Sequence, residues 1–246
     1  MVIATRAAAA LRDAALAAVE AALRQDPGVR GQRRAKPAGF GMVTLVGGGP
    51  GDPGLLTVKG SQALAEADVV VVDRLAPLAV LDGLREGVEI IDVSKIPRGR
   101  GMEAVIACTQ AGVPVEVIPG VSSAIAAPEL AGIPLTHRGI SQGFTVVSGH
   151  AAPGDPRSTL DWDALARGGT TLVVLMGVEN LGPIVDALVD AGLDMDTPLA
   201  CVMEAGLPSQ KAVLTSLSKV AGSGPPPELH SPAVIAIGAV AAFAAG

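Results

Sequence analysis

The sequence is poor in aromatic side chains: it has three phenylalanines, one tryptophan and no tyrosine. A nucleic-acid surface needs stacking rings together with a basic face, and the net charge of −6 denies the second requirement as well. The only cysteines, Cys108 and Cys201, lie far apart inside apolar segments. They read as buried free thiols of a reducing compartment, not as a disulfide. Three histidines, His137, His150 and His230, share no metal-ligand spacing, so no metal site is expected.

A bilayer-spanning run is missing too, although 49% of the residues are apolar. A span needs about 20 uninterrupted apolar residues, and the nearest approach, residues 233–246, is shorter and holds two glycines. Its first half, Ala233–Ile237, has the composition of a strand buried on both faces of a parallel sheet. Arg6, Arg12, Asp13 and Glu20 interrupt the alanine-rich opening, as no signal-peptide core would allow. A soluble cytoplasmic protein with no membrane or nucleic-acid partner is expected. What the chain has in excess is glycine and proline, 31 and 19 residues. They punctuate apolar runs, as in a folded protein with many tight strand-to-helix turns.

Between Ala7 and Arg24 the apolar positions Leu11, Ala15, Val19 and Leu23 recur every four residues, the pattern of an amphipathic helix. Asp26-Pro27-Gly28 ends it, and residues 28–40, with Arg30, Arg33, Arg34 and Lys36, read as a solvated basic linker. Thereafter short β-branched runs alternate with helical segments. Strands are expected at Val43–Val46, Val69–Val72, Glu89–Val93 and Val115–Ile118, and helices at Thr57–Ala67 and Met102–Ala111. A second set follows, with strands at Phe144–Val147, Thr171–Met176, Pro198–Met203 and Ala233–Ile237 and a helix at Leu181–Ala191. This rhythm predicts an α/β protein with mainly parallel sheets, since parallel strands need crossover helices. The expected division is an N-terminal helix and linker (1–40), one α/β domain (41–136) and a second (137–246), with the crossing point at Gly132-Ile133-Pro134-Leu135-Thr136.

The first strand runs into Gly47-Gly48-Gly49-Pro50-Gly51-Asp52-Pro53-Gly54. Gly49, Gly51 and Gly54 satisfy the dinucleotide spacing G-x-G-x-x-G, and Asp73 ends the next strand where a ribose-binding acid would stand. A pyrophosphate site, however, needs a helix that opens inside the glycine motif with its amides free. Pro50 and Pro53 remove amides, and the helix is expected only near Thr57. A plain turn is the second reading. The third is a ligand loop, since ligands of open α/β sheets bind outside the carboxyl ends of strands.

The stretch Leu45 to Gly60, including this loop, resembles the opening motif of the tetrapyrrole methylases. Further matches come in the family's order: Ala67 to Leu75 with the pair Asp73-Arg74, then Lys95-Ile96-Pro97-Arg98-Gly99-Arg100, Pro119-Gly120-Val121-Ser122-Ser123, and Thr136-His137-Arg138. The similarity runs from Gly41 to Ala239; the opening motif is shared by several corrin-pathway methylases, whereas Asp73-Arg74, Lys95-Ile96-Pro97 and Thr136-His137-Arg138 are similar to the branch that methylates uroporphyrinogen III. The opening helix and linker are similar to the tail of the module that precedes the methylase in fused sirohaem synthases.

The resemblance implies two α/β domains of the tetrapyrrole methylase type with a ligand cleft between them, and a homodimer. It implies S-adenosylmethionine as methyl donor and uroporphyrinogen III as acceptor, methylated at C2 and C7 to precorrin-2. Asp73 takes the place of the family's proton acceptor and Lys95 that of its proton donor. Pro50, Ser122, Ser123, Met176 and Ala205 fall at cofactor-binding positions. The acceptor carries eight carboxylates, for which Arg74, Lys95, Arg98, Arg100 and Arg138 offer a basic rim. Outside this reading stand two alternatives: a methylase-fold relic without turnover, and a dinucleotide-dependent oxidoreductase.

One departure is plain. Between Arg100 and Gly101 the family has a further helix, a strand and a loop reading Gly-Gly-Asp-Pro-Phe, which supplies much of the cofactor pocket. That segment is not in this sequence. Either it is deleted or it is left out of the numbering. The repeated Gly-Arg dipeptide at the join favours deletion, which predicts an ordinary Cα spacing of ~3.8 Å there and a first sheet one strand short.

Overall fold

A computed structural model of the chain describes residues 2–6, 42–73, 75–92, 101–110 and 112–244. It divides into two compact units, Met1–Val121 and Ser122–Gly246.

In the first unit the strands are β1 (Val2–Arg6), β2 (Met42–Val46), β3 (Val69–Val72), β4 (Glu89–Asp92) and β5 (Val115–Ile118). They form one sheet in the order β4-β3-β1-β2-β5. β2 pairs with β5, and β3 with β4, in parallel; β1 is antiparallel to both β2 and β3. β-branched residues fill these strands because their side chains pack well on a pleated surface. Alternate residues then point to opposite faces. Val43, Leu45, Val69 and Val71 pack with Cys108 of helix α2 (Gly101–Gln110). Val46, Val70, Val72 and Ile118 pack with Leu64 of helix α1 (Val58–Ala65). Burying each such valine contributes about 1.5 kcal/mol or more.

The second unit's strands are β6 (Phe144–Ser148), β7 (Thr171–Leu175), β8 (Pro198–Met203), β9 (Lys211–Ser216) and β10 (Ala233–Ile237). Their order is β6-β7-β10-β8-β9. One face is covered through Trp162 of α4 (Trp162–Arg167), Leu181, Ile184, Val185 and Leu188 of α5 (Leu181–Asp190), and Leu217 and Val220 of α6 (Leu217–Ser223). The other is covered by Ala124 and Ala127 of α3 (Ser123–Leu130) with Val240 and Ala241. Among the described residues no helix is long and apolar enough to cross a membrane.

The α/β class and most core strands stand where the sequence put them, and several expectations are corrected. Residues 2–6 form a strand of the first sheet, so the opening segment is not only helix and linker; Val-Ile-Ala-Thr-Arg was too short a β-branched run to stand out beside the alanine periodicity. The helix and linker expected over residues 7–40 lie outside the described residues. The second unit begins at Ser122, ahead of Thr136, because Ala124, Ala127, Ala131, Ile133 and Leu135 all pack into its core. Its sheet is mixed, not mainly parallel: only β6–β7 is parallel, and the buried β10 is antiparallel to β7 and β8. Burial on both faces produces the same apolar composition in either orientation, so composition could not separate them.

Candidate functional site

β2, β3 and β5 run in one direction, so their carboxyl ends share an edge of the first sheet. Three loops meet there. Gly47 follows β2, and its N–H donates to the Ile118 carbonyl at 2.9 Å. A Cβ on Gly47 would lie 2.3 Å from the Gly120 nitrogen, and one on Gly48 would lie 2.6 Å from Cδ of Pro77. The glycines thus let backbone rest on backbone between the loops after β2 and β5, and on the proline ring after β3. Beyond them Asp52 accepts the Gly54 N–H at 2.7 Å and caps a short 3-10 turn, Pro53–Leu55. Helix α1 starts only at Val58, where Thr57 Oγ1 accepts the Gly60 N–H at 3.1 Å. The glycine motif therefore does not open a helix, as a pyrophosphate site would require.

Asp73 sits half-buried at the end of β3. Its Oδ1 accepts the Leu75 N–H at 3.1 Å and its carbonyl accepts the Ala76 N–H at 3.1 Å. The carboxylate thus holds the turn that carries Pro77 onto the glycine loop. Pro50 lies in that loop, half-buried. Arg74, Lys95, Arg98 and Arg100 lie outside the described residues.

The second unit has a comparable edge, where the carboxyl ends of β6, β7 and β8 lie together. The Gly149 N–H donates to the Leu175 carbonyl at 2.7 Å, and Asn180 Nδ2 donates to the carbonyls of Gly149 at 2.7 Å and His150 at 3.1 Å. Met176, at the end of β7, has φ 54°, and Glu204, at the end of β8, has φ 49°. They are the only non-glycine positive-φ residues described. Each left-handed residue costs about 1–2 kcal/mol, and such strain gathers at functional sites. Met176 is 63% exposed, so packing does not account for it. The Glu204 carboxylate stands 3.9 Å from His230 Nε2 and its N–H donates to the Pro232 carbonyl at 3.0 Å. Ala205 follows, half-buried, and the Gly206 N–H donates to Gln210 Oε1 at 2.9 Å.

Ser122 caps α3, its Oγ accepting the Ala124 N–H at 3.3 Å; Ser123 is the first helical residue. Arg138 is exposed in a turn held by the His137 N–H to Ser141 carbonyl bond of 2.9 Å. The His137 ring stacks on Phe243 at 5.3 Å. Of the expected site residues, Pro50 and Asp73 therefore share the first unit's edge, and Met176 and Ala205 the second's. Sequence reading missed Asn180, His150 and Glu204. The Gly149-His150 pair directly after a strand was the available signal for His150; Asn180 and the strain at Glu204 left none.

Neither cysteine belongs to these edges. Burial pushes the Cys108 thiol up to about 11. Burial, with the Glu228 charge, pushes that of Cys201 to about 12. Both values exceed the unfolded value of 9.0. The thiols' share of stability is therefore intact below pH 9 and is lost as pH climbs toward 11 and 12. Iodoacetamide at pH 8 should label neither thiol in the native protein and both after unfolding; mass spectrometry showing native labelling would contradict this burial.

The chain matches the family of Tetrapyrrole (Corrin/Porphyrin) Methylases over residues 42–100 and 92–221. It is 36% identical over 240 residues to the uroporphyrinogen-III C-methyltransferase of Synechocystis sp., covering 84% of this chain and 91% of that protein. It is 38% identical over 240 residues to the siroheme synthase of Zymomonas mobilis, covering 81% of this chain and 49% of that longer protein. Among solved structures it is similar to the uroporphyrin-III C-methyl transferase of Thermus thermophilus complexed with S-adenyl homocysteine. There the TM-score is 0.67 at 37% identity, over 80% of this chain and 92% of the other. The chain belongs to the tetrapyrrole methylase family.

The alignment with the Synechocystis protein spans 240 residues yet uses only 84% of this chain of 246. That relative therefore carries residues without a counterpart here. Numbering is continuous through Arg100 and Gly101, and the two family matches meet over residues 92–100, where the missing segment was expected. The Cα spacing at the join, which a deletion predicts to be ordinary, involves Arg100 and lies outside the described residues.

Proposed function

We propose that this chain transfers methyl groups from S-adenosylmethionine to C2 and C7 of uroporphyrinogen III, giving precorrin-2, as a cytoplasmic homodimer. The observation that carries the reading is the first unit's edge, where the family's opening glycine loop lies on the Pro119-Gly120 turn without an intervening side chain. Such a floor admits a ligand directly onto peptide. In the second unit the small residues Ala205 and Gly206 follow the strained Glu204 just beyond the end of β8. These features fit the donor, and Pro50, Ser122, Ser123, Met176 and Ala205 are the residues proposed to hold it.

When bound, S-adenosylmethionine supplies a methyl group already activated on a sulfonium, which leaves alignment as the protein's main task. Asp73 would take the proton that the methylated ring system must lose, and Lys95 would return one. Arg74, Arg98, Arg100 and Arg138 would grip the acceptor's carboxylates, a role that suits the guanidinium fork.

Calorimetric titration of the protein with S-adenosylhomocysteine and, separately, with NAD tests the assignment. Saturable heat with the first alone, followed by mass-spectrometric detection of two added methyl groups on uroporphyrinogen III, is the expected result. Binding of NAD instead would replace the reading with an oxidoreductase. The relatives' extra residues favour a second reading, a methylase fold without turnover; it predicts heat with neither ligand and no methylated product.

A further inference from the structure

The first sheet contains an anomaly. β2, β3, β4 and β5 all run one way, yet the strand between β2 and β3 runs the other way. In otherwise parallel sheets an antiparallel strand usually stands at the edge; this one is central. It comes from residues 2–6, whereas the family match begins only at residue 42. Without it, the family-matching strands would fall into two parallel pairs, β4-β3 and β2-β5, with facing unpaired edges. Relatives of this chain also carry residues that it lacks.

We propose that residues 2–6 are a stand-in strand, filling a gap that the loss of a parallel strand left in the family-matching sheet. β-branched Val2, Ile3 and Thr5 suit the task, and the register is full: Val2 lies opposite both Val46 and Val72, and Thr5 opposite both Val43 and Val69. The reversed direction has a chemical result. A parallel strand would deliver its carboxyl end, and a loop, to the edge that holds Gly47 and Asp73. β1 delivers its amino end at Val2 there instead. The gap between β2 and β3 is thus filled by a strand of opposite direction. This inference rests on family membership and not on turnover, so its test reads strand pairing alone.

The full chain would carry Ala4→Cys with either Thr44→Cys or Val70→Cys. Ala4 is opposite both partners, and antiparallel neighbours lie at a Cα separation of about 4.5–5.5 Å, within disulfide reach. Mild oxidation should cross-link both double variants within one chain, as only a strand lying between β2 and β3 permits. A second measurement uses Ala4→Pro, since proline is excluded from a central strand. Amide exchange at Val43–Val46 and Val69–Val72 should quicken roughly tenfold or more, while Val173 and Val202 in the second unit stay unchanged. Failure of either cross-link, bridges only between chains, or unaltered exchange in Ala4→Pro would overturn the proposal. If Ala4→Pro does not fold, the cross-links decide.

Discussion

Asp73→Asn should lower methyl transfer by about 100-fold or more while leaving S-adenosylhomocysteine affinity within a few-fold. The substitution is informative because it separates the carboxylate's two duties. Asparagine keeps an oxygen to accept the Leu75 N–H, the bond that Asp73 makes at 3.1 Å, so the turn toward Pro77 should survive. What it loses is the capacity to take a proton. If Asp73 serves only the turn, the asparagine variant will turn over normally and Asp73→Ala alone will be impaired. Single-turnover kinetics with both variants separates the cases, and normal turnover in Asp73→Asn removes the residue from the chemistry. Circular dichroism should show both variants folded, since the side chain lies at a strand end and not in the core.

The second large effect is on stability. Gly47→Ala would place a methyl group 2.3 Å from the Gly120 nitrogen, and Gly120→Ala would place one 2.4 Å from the Gly47 carbonyl oxygen. Both neighbours are backbone, so no rotamer change relieves the clash; the loops after β2 and β5 must part. Overpacking of this kind costs about 1–3 kcal/mol, occasionally more, and should appear as earlier urea unfolding of the first unit. Gly83→Ala is the matched control, because nothing lies within 4 Å of its added methyl group. It should be neutral or slightly stabilising through the unfolded chain. Equal loss in Gly47→Ala and Gly83→Ala would mean that the glycine contact is not as tight as described.

The legible parts of this fold were those where burial and secondary structure agree. Val69–Val72 and Pro198–Met203 are unbroken apolar runs bounded by turns, and both stand as strands at those residues. β9, Lys211–Ser216, was missed because it is an edge strand with no fully buried residue, so its pattern carries no alternation. α3 was missed because Ser-Ala-Ile-Ala-Ala-Pro-Glu-Leu contains Pro128 and its alanines give almost no amphipathic contrast. β1 needed knowledge of a distant vacancy in the sheet, which local propensity does not hold. For the site, residue types at strand ends pointed to Asp73 and the glycine loop. The strain at Met176 and Glu204 was invisible, since neither methionine nor glutamate announces a left-handed backbone. Asn180 was likewise hidden: its two acceptors are carbonyls some thirty positions back, whose geometry depends on the sheet.

The Gly47–Gly120 contact also bears on how this scaffold can diversify. Where two peptide groups touch with no side chain between them, the genetic code has little left to vary: every codon other than glycine adds a Cβ that does not fit. That patch is frozen in shape and charge whatever molecule rests on it. A descendant protein acquiring a different preference must therefore rewrite the rim, at exposed positions such as Leu75 and Leu78, whose side chains can change size and polarity. Laboratory evolution for altered acceptors would be best served by libraries confined to those positions, with both glycines held constant.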